Sequence, residues 1–313
     1  MGEGERQRSF PPAHDVLPGG LLPGGRFADW RPRAPGYVVC DVDGTLVGAA
    51  PRATEAVESA VRDCVDAGLA VGLATGRMPG ACGALAAQLG LTGPHVLHNG
   101  AVVRHRGEQV QSWPLEPGSA AALAALCARR GLYAEFFVDA GYWATDRRVA
   151  ARFHWEVSGQ EPHGLIADLD LDRTVVDKAT VLLFGDDDEA AVLAEVGDLG
   201  LVGGIARMPG RPAVAVNVTR AEIDKGSALA VAAGAAGCEL DQVVAVGDGD
   251  NDLPMLAVAG TAIAMGQASP AVREAAHLIA PELAADGVAH ALHAAAAWAR
   301  GRDEAGLGGP ARG

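Results

Sequence analysis

Between residues 36 and 300, short apolar runs alternate with longer segments that mix apolar and polar residues. A short continuous apolar run between turn residues is typical of a strand buried on both faces, and the longer segments have helical length. Their order predicts an α/β fold whose core is a doubly wound, Rossmann-like parallel sheet. The predicted strands lie at 37–40, 69–74, 95–97, 243–246 and 262–265, and the predicted helices at 53–67, 81–89 and 226–236.

The middle of the chain has a different pattern. Two-residue alternation, as in residues 109–113, predicts strands with one exposed face, and helices are predicted near 119–130 and 187–196. This stretch also holds 9 of the 14 aromatic residues. We interpret it as an α+β domain inserted into the first. The predicted division is a flexible N-terminal extension over 1–35, from which Phe27 and Trp30 could dock onto the body, a core over 36–102 and 209–300, an inserted domain over 103–208 and a flexible tail over 301–313.

Composition narrows the class of protein. A length of 313 residues suggests about two domains, and 49% hydrophobic residues predict a globular protein. The formal charge of −14 argues against a nucleic-acid or anionic-membrane partner. The five scattered cysteines form no CxxC pair, which indicates neither a disulfide framework nor a zinc site. No apolar run approaches the ~20 residues that span a bilayer, and no signal pattern opens the chain, so we expect a cytoplasmic location.

Polar residues follow three of the predicted strands. Asp41, Thr75 and Asp248 each come after an apolar run, and ligands bind beyond the carboxyl ends of such strands. Asp41 and Asp43 have the spacing that places two side chains on the same side of a strand, where they could meet one metal ion and one substrate. A carboxylate can then accept a phosphoryl group and a second one can transfer protons. By itself, the string also fits an Asp-Gly turn with two solvated acids.

Four short motifs resemble those of the haloacid dehalogenase superfamily and occur in its order. The resemblance covers most of residues 36 to 298. The motifs are Asp41-Val42-Asp43-Gly44-Thr45, which resembles DxDGT, then Thr75-Gly76-Arg77, then Lys225 within Asp224-Lys225-Gly226-Ser227, and Gly247-Asp248-Gly249-Asp250-Asn251-Asp252. The insert lies between the second and third motifs, which is similar to the Cof-type phosphatases of subclass IIB and implies a large α/β cap that selects the substrate.

The resemblance implies a role for each matching position. Asp252 could bind the metal or orient its ligands and Lys225, and two positions stay open from the residues alone. Arg77 could contact the phosphate or leaving group or form a structural pair, and Asn99 could be a ligand or a hinge. The implied site is Asp41 as nucleophile, Asp43 as acid and base, Thr75, Gly76, Arg77, Asn99, Lys225 and Asn251 around phosphate or substrate, and Asp41, Asp43 and Asp248 around Mg²⁺.

The implied reaction is hydrolysis of a phosphate ester through an aspartyl phosphate, with a sugar or polyol phosphate as the expected substrate. A phosphomutase or a non-catalytic phosphometabolite-binding protein on the same scaffold stays an alternative. A dehalogenase does not need the second carboxylic acid of Asp43, and an ion pump would need membrane-spanning helices. A monomer and a homodimer are both compatible with the sequence, which does not identify the substrate.

Overall fold

The structure is a computed structural model that describes residues 20–30, 33–48, 52–116, 118–138, 141–207 and 213–306, with Leu17 and Ala50. The strands are β1 (Leu22–Pro23), β2 (Tyr37–Cys40), β3 (Ala70–Leu73), β4 (His95–Leu97), β5 (Val102–His105), β6 (Glu108–Ser112), β7 (Tyr133–Val138), β8 (Gly141–Ala144), β9 (Gly164–Leu165), β10 (Lys178–Phe184), β11 (Leu201–Arg207), β12 (Ala213–Arg220), β13 (Val243–Gly247), β14 (Thr261–Ala264) and β15 (Leu278–Ile279). The α-helices are α1 (Glu55–Asp66), α2 (Pro79–Leu89), α3 (Ser119–Arg130), α4 (Arg152–Ser158), α5 (Glu189–Asp198), α6 (Lys225–Ala236), α7 (Leu253–Val258), α8 (Pro270–Ala275) and α9 (Gly287–Gly306). Within the described residues, no helix has both the length and the apolar character needed to cross a membrane.

The core is a six-stranded sheet in the order β1-β15-β14-β13-β2-β3. Its strands are parallel except for β1, which runs antiparallel to β15. Because side chains alternate along a strand, Val38 and Cys40 pack toward α1, α2 and α9, while Tyr37 and Val39 pack toward α6, α7 and α8. Helices on both faces explain why the strands are continuously apolar, and they confirm the predicted doubly wound core.

The inserted region forms a second six-stranded sheet in the order β11-β12-β10-β7-β8-β9. Helices α3 and α5 pack on one face of this sheet. The opposite face is partly covered by α4 and contacts the core through Met78 and His98. This second sheet is the cap, and the structure confirms the predicted combination of a parallel core and an inserted α+β domain.

The strand pairing places the boundaries between core and cap at residues other than the predicted 103 and 208. Strand β5 crosses the predicted boundary at 102 and pairs with β4 and β6, and β12 belongs to the cap sheet although the predicted cap ends at 208. Pairing partners decide which sheet a strand joins, and composition does not reveal them. We therefore propose a cap that begins after β6 and ends with β12. Helix α9 reaches Gly306, so the predicted tail from 301 starts inside a helix.

Within the predicted N-terminal extension, residues 20–30 pack on the core. Leu21 is fully buried beside β1. The Trp30 ring lies 6.0 Å from the ring of Phe27 and 5.5 Å from that of Trp298 in α9, and its Nε1 donates a hydrogen bond to Thr261 Oγ1. The prediction that Phe27 and Trp30 dock onto the body is confirmed, and the remaining limits of the extension stay a prediction.

His277, buried between α8 and β15, predicts a loss of stability in acid. Its Nδ1 accepts a hydrogen bond from the backbone nitrogen of Ala262, and burial, reinforced by the charge of Arg26, lowers its pKa from 6.5 to about 4. A lowered histidine pKa gives stability that is complete above pH 6.5 and is lost as the pH falls toward 4. We expect this loss to be on the order of 3 kcal/mol.

The test compares His277→Asn with the wild type, because an asparagine oxygen can still accept the hydrogen bond from Ala262. Urea unfolding at pH 7 and pH 4 measures the free energy of unfolding of both proteins. The variant is expected to lose less stability between the two pH values. Equal losses in both proteins would contradict the assignment of this pH dependence to His277.

Candidate active site

Three adjacent strands of the core bring the predicted site residues together. Asp41 follows β2, Thr75 lies just after β3 and Asp248 follows β13, and these strands are neighbours in the order β13-β2-β3. Parallel strands end at the same edge of a sheet, where ligands bind in α/β folds. Lys225 enters the same edge as the first residue of α6, which begins where the Asp224 side chain accepts a hydrogen bond from the Ser227 backbone.

Lys225 forms a buried ion-pair network with two carboxylates. Its Nζ donates hydrogen bonds of 2.6 Å to Asp41 Oδ1 and to Asp252 Oδ1. Burial alone would lower the pKa of Lys225, but the charges of Asp252 and Asp41 outweigh burial and hold the pKa above its usual value. The other oxygen of Asp252 accepts hydrogen bonds of 2.9 Å from the backbone nitrogens of Asp248 and Gly249. Asp252 therefore fixes both Lys225 and the Asp248 backbone.

Asp41, Asp248 and Asp252 each place one carboxylate oxygen within 4.8 Å of the other two. Burial raises the pKa of Asp41 well above its usual value, and Asp252 raises it further while Lys225 opposes the shift. Burial and Asp252 likewise raise the pKa of Asp248 to about 6, opposed by a 3.0 Å hydrogen bond from the Thr45 hydroxyl. Three carboxylates share one ammonium group, so the cluster keeps excess negative charge. Its oxygen donors fit a hard divalent cation such as Mg²⁺.

Asp43 lies outside this cluster, contrary to the expectation from its spacing. Its side chain is 54% exposed and accepts two hydrogen bonds from Arg77, 2.9 Å from Nε and 2.5 Å from Nη2. The two-residue rule fails because β2 ends at Cys40 and the chain then turns through Gly44 at φ +90°. Of the two alternatives for Arg77, the structure shows the pair, and this pair holds Asp43 at the mouth of the site.

The remaining predicted residues surround Thr75. Its hydroxyl accepts a hydrogen bond from the Arg77 backbone nitrogen, and its carbonyl accepts one from the backbone nitrogen of Asn99. Asn251 Nδ2 donates to Asn99 Oδ1 at 3.2 Å, and the Asn99 side chain also lies beside Gly76. Asn99 has a left-handed backbone with φ +56°, in a turn that brings its side chain to this edge. The structure thus brings together amide, hydroxyl and backbone donors beside Asp41.

A family model for haloacid dehalogenase-like hydrolases matches residues 38–292. The chain belongs to this family. It is 27% identical to the phosphoglycolate phosphatase of Methanopyrus kandleri over 252 residues, which cover 80% of this chain and 93% of that protein. It is also 36% identical to the pyridoxal phosphate phosphatase YbhA of Escherichia coli over 78 residues, 25% of this chain and 29% of that protein.

Solved structures share the fold of this haloacid dehalogenase-like hydrolase. The sugar phosphatase BT4131, described as subclass IIB, has a TM-score of 0.70 at 22% identity and covers 82% of this chain and 97% of its own. A haloacid dehalogenase-like hydrolase from B. subtilis has a TM-score of 0.72 at 20% identity, with 82% and 98% covered. The chain is a Cof-type phosphatase of the superfamily and a phosphoric monoester hydrolase.

One buried cation beside the site, Lys178 in β10, was missed in the sequence analysis. Its Nζ donates a 2.7 Å hydrogen bond to the carbonyl of Gly76, which ties the cap to the segment after β3. The composition could have drawn attention to Lys178, because the chain has only two lysines among 25 lysine and arginine residues. These two lysines, Lys178 and Lys225, are both buried. In a chain that otherwise uses arginine, a lysine marks a place where a compact point charge fits and a guanidinium does not.

Gly44 offers a test of how closely the first and fourth motifs must approach. A Cβ at this position would collide with the Asp248 carboxylate, whereas Gly68, with a similar φ of +80°, has nothing within 4 Å of its Cβ position. We expect Gly44→Ala to lower phosphatase turnover by about 10²-fold, since small displacements of catalytic groups have effects of that size.

The control Gly68→Ala also places a side chain at a positive φ, which costs about 1 kcal/mol in stability. It is expected to keep turnover within about twofold, because its new methyl group points into open space. Turnover and thermal unfolding should be measured for both variants. Equal turnover in the two variants would show that the approach of Gly44 to Asp248 does not matter for the reaction.

Proposed function

We propose that this phosphatase is magnesium-dependent and releases inorganic phosphate from a small phosphorylated metabolite through a phosphorylated Asp41. The observation that carries the proposal is the Lys225 ammonium group held between Asp41 and Asp252, with Asp248 beside them. This arrangement provides a carboxylate nucleophile, a fixed cation for the transferring group and a set of oxygen ligands at one point. Asp252, with both oxygens already accepting hydrogen bonds, orients the others.

The proposed reaction has two steps, transfer of the phosphoryl group to Asp41 and its hydrolysis. A carboxylate oxygen of Asp41 attacks phosphorus, the phosphorus–oxygen bond of the ester breaks, and Asp43 gives its proton to the departing oxygen. Asp43, again ionised, then takes a proton from water as the water attacks the phosphorus of the aspartyl phosphate. The bond to Asp41 breaks, which regenerates the carboxylate and releases inorganic phosphate. Arg77 positions Asp43 through the two hydrogen bonds between their side chains.

Asp41 and Asp248 would hold the magnesium ion, and a contribution from Asp43 stays a prediction. When bound, the ion supplies the positive charge that lets an anionic phosphate approach an anionic nucleophile. Thr75, Gly76, Asn99, Asn251 and Lys225 would surround the phosphate oxygens.

The relatives support a small substrate. Their names give phosphoglycolate, pyridoxal phosphate and sugar phosphates as the compounds on which those proteins act. A sugar or polyol phosphate, as expected from the sequence, stays a prediction, and so does a cytoplasmic location. A phosphomutase would move phosphate within one molecule, so stoichiometric release of inorganic phosphate distinguishes the two activities.

Asp41→Asn tests the nucleophile. We expect turnover of phosphate esters to fall by about 10⁴-fold or more, because an amide cannot replace the attacking carboxylate. The matched control is Asp250→Asn in the exposed turn after β13, where Asp250 Oδ1 accepts a hydrogen bond from Ser269. This control should keep turnover within about threefold. Undiminished turnover in Asp41→Asn would exclude the proposed intermediate.

Removal of divalent cations tests the metal. EDTA is expected to abolish phosphate release and added Mg²⁺ to restore it. Because the cation offsets the excess charge of the carboxylate cluster, Mg²⁺ should also raise the unfolding temperature, and Asp248→Asn should weaken that rise. Full activity in EDTA, together with an unfolding temperature that does not change when Mg²⁺ is added, would contradict the proposal.

A further inference from the structure

The cap presents one face of its sheet to the core, and strand register decides which side chains lie there. In β10, Lys178 pairs with Phe137 of β7, and Thr180 pairs with both Glu135 and Asn217. The alternate residues of β10 pack against α3 and α5 instead. We call the core-facing set the inner face; its residues are Tyr133, Glu135, Phe137, Lys178, Thr180, Leu182, Ala215 and Asn217.

Lys178 is a buried cation on this inner face, and among the described residues its hydrogen-bond partners are neutral. Its Nζ donates hydrogen bonds of 2.7 Å to two neutral oxygens, the Gly76 carbonyl and Asn217 Oδ1, and lies 4.8 Å from the centre of the Phe137 ring. No ion pair joins it to a carboxylate in the part of the chain that the structure describes. Burial lowers its pKa to about 7, and the negative charge of Glu135, which opposes this shift, does not outweigh burial.

His98 faces the same ring from the core side. It is fully buried, its ring centre lies 5.2 Å from that of Phe137, and neither of its ring nitrogens has a hydrogen-bond partner among the described residues. Buried polar atoms are rarely left without partners in folded proteins. A neutral imidazole has one N–H to donate and one nitrogen that accepts, so His98 offers an unused donor beside the Phe137 ring that Lys178 also contacts.

Among the neighbouring polar groups, Asn217 adds a further donor. Asn217 accepts hydrogen bonds at Oδ1 from Lys178 and Thr180, and its amide NH₂ donates to no residue that the structure describes. Glu135 is the carboxylate of the inner face, but the Tyr133 hydroxyl and His154 Nδ1 already occupy its two oxygens. The free donors are therefore one N–H of His98, the Asn217 amide and the remaining N–H of Lys178, which fit an anion, while the second ring nitrogen of His98 is a free acceptor.

This donor set is fixed to the predicted phosphate segment itself. The carbonyls of Thr75, Gly76 and Arg77 accept hydrogen bonds from Asn99 N, Lys178 Nζ and His98 N respectively. Three successive carbonyls thus hold the His98 turn and the cap lysine directly beside the place where the phosphate would lie. An anionic group that reaches these donors must be only a few atoms from the phosphorus.

We infer that Lys178, His98 and Asn217 bind a carboxylate on the leaving group, so that the preferred substrate is the phosphate ester of a small hydroxy acid. The inference rests on the proposed phosphatase function and specifies its substrate class. The substrate carboxylate accepts a hydrogen bond from Lys178 Nζ, which places a negative charge in direct contact with this ammonium group. These residues determine specificity, and Asp41 and Asp43 carry out the reaction.

The first experiment needs no variant. Phosphoglycolate and 2-hydroxyethyl phosphate have the same length, and they differ in a carboxylate against a neutral hydroxymethyl group. We expect the wild-type kcat/KM, measured by phosphate release with Mg²⁺, to favour phosphoglycolate by about 10²-fold, since one buried charge-assisted contact is worth a few kcal/mol. The pair 2-phosphoglycerate and glycerol 2-phosphate should show the same preference.

The second experiment removes the cation. Lys178→Met keeps the length of the side chain, and it should lower kcat/KM for the carboxylate esters by about 50-fold while changing that for the neutral esters by less than fivefold. The control Arg148→Met removes an equal charge from the same domain, where Arg148 pairs with Asp146, donates to the Gly131 carbonyl and lies over the Tyr133 ring. It should leave the preference for the carboxylate unchanged.

The outcomes separate this inference from the proposed function. If no ester is hydrolysed by the wild type, including p-nitrophenyl phosphate, the proposed function fails. If esters are hydrolysed but neutral ones or bisphosphates are preferred, the function stands and the carboxylate assignment is overturned. Equal losses for carboxylate and neutral esters in Lys178→Met would mean that Lys178 only holds the cap against the core. That result would also overturn the carboxylate assignment.

Discussion

The buried contact of Lys225 with Asp41 and Asp252 is the interaction on which the site depends. It joins the end of β2, the start of α6 and the turn after β13, which lie far apart in the sequence. A buried charge of this kind is unfavourable unless its partners are held in place, and Asp252 is held by two backbone nitrogens. The hydrogen bonds that fix Asp252 therefore set the position of Lys225, and Lys225 sets that of Asp41.

The same cluster leaves more negative charge than one ammonium group can balance. Burial, together with the charge of Asp252, raises the pKa values of Asp41 and Asp248, which reflects how unfavourable this excess charge is inside the protein. The motifs thus bring together the predicted nucleophile and a cluster of carboxylate oxygens that fits a metal ion.

Many elements of the core and of the cap were readable from the sequence because their signals are local. The apolar run at 37–40 became β2, and the helix predicted at 119–130 became α3 with the same limits. The position of Asp43 was not readable, since the strand ends at Cys40 and the turn redirects its side chain toward Arg77. The inner face of the cap was also hidden, because it depends on the register between β7, β10 and β12, which no single segment specifies.

The docking of residues 20–30 on the core limits where the chain can be truncated. The family match begins at residue 38, yet β1 covers the outer strand β15, and Trp30 packs against α9. A chain trimmed to the family boundary would leave β15 as an open sheet edge with unpaired backbone groups, which invites pairing between molecules. The shortest fragment that keeps β15 covered is therefore longer than the segment that the family model matches.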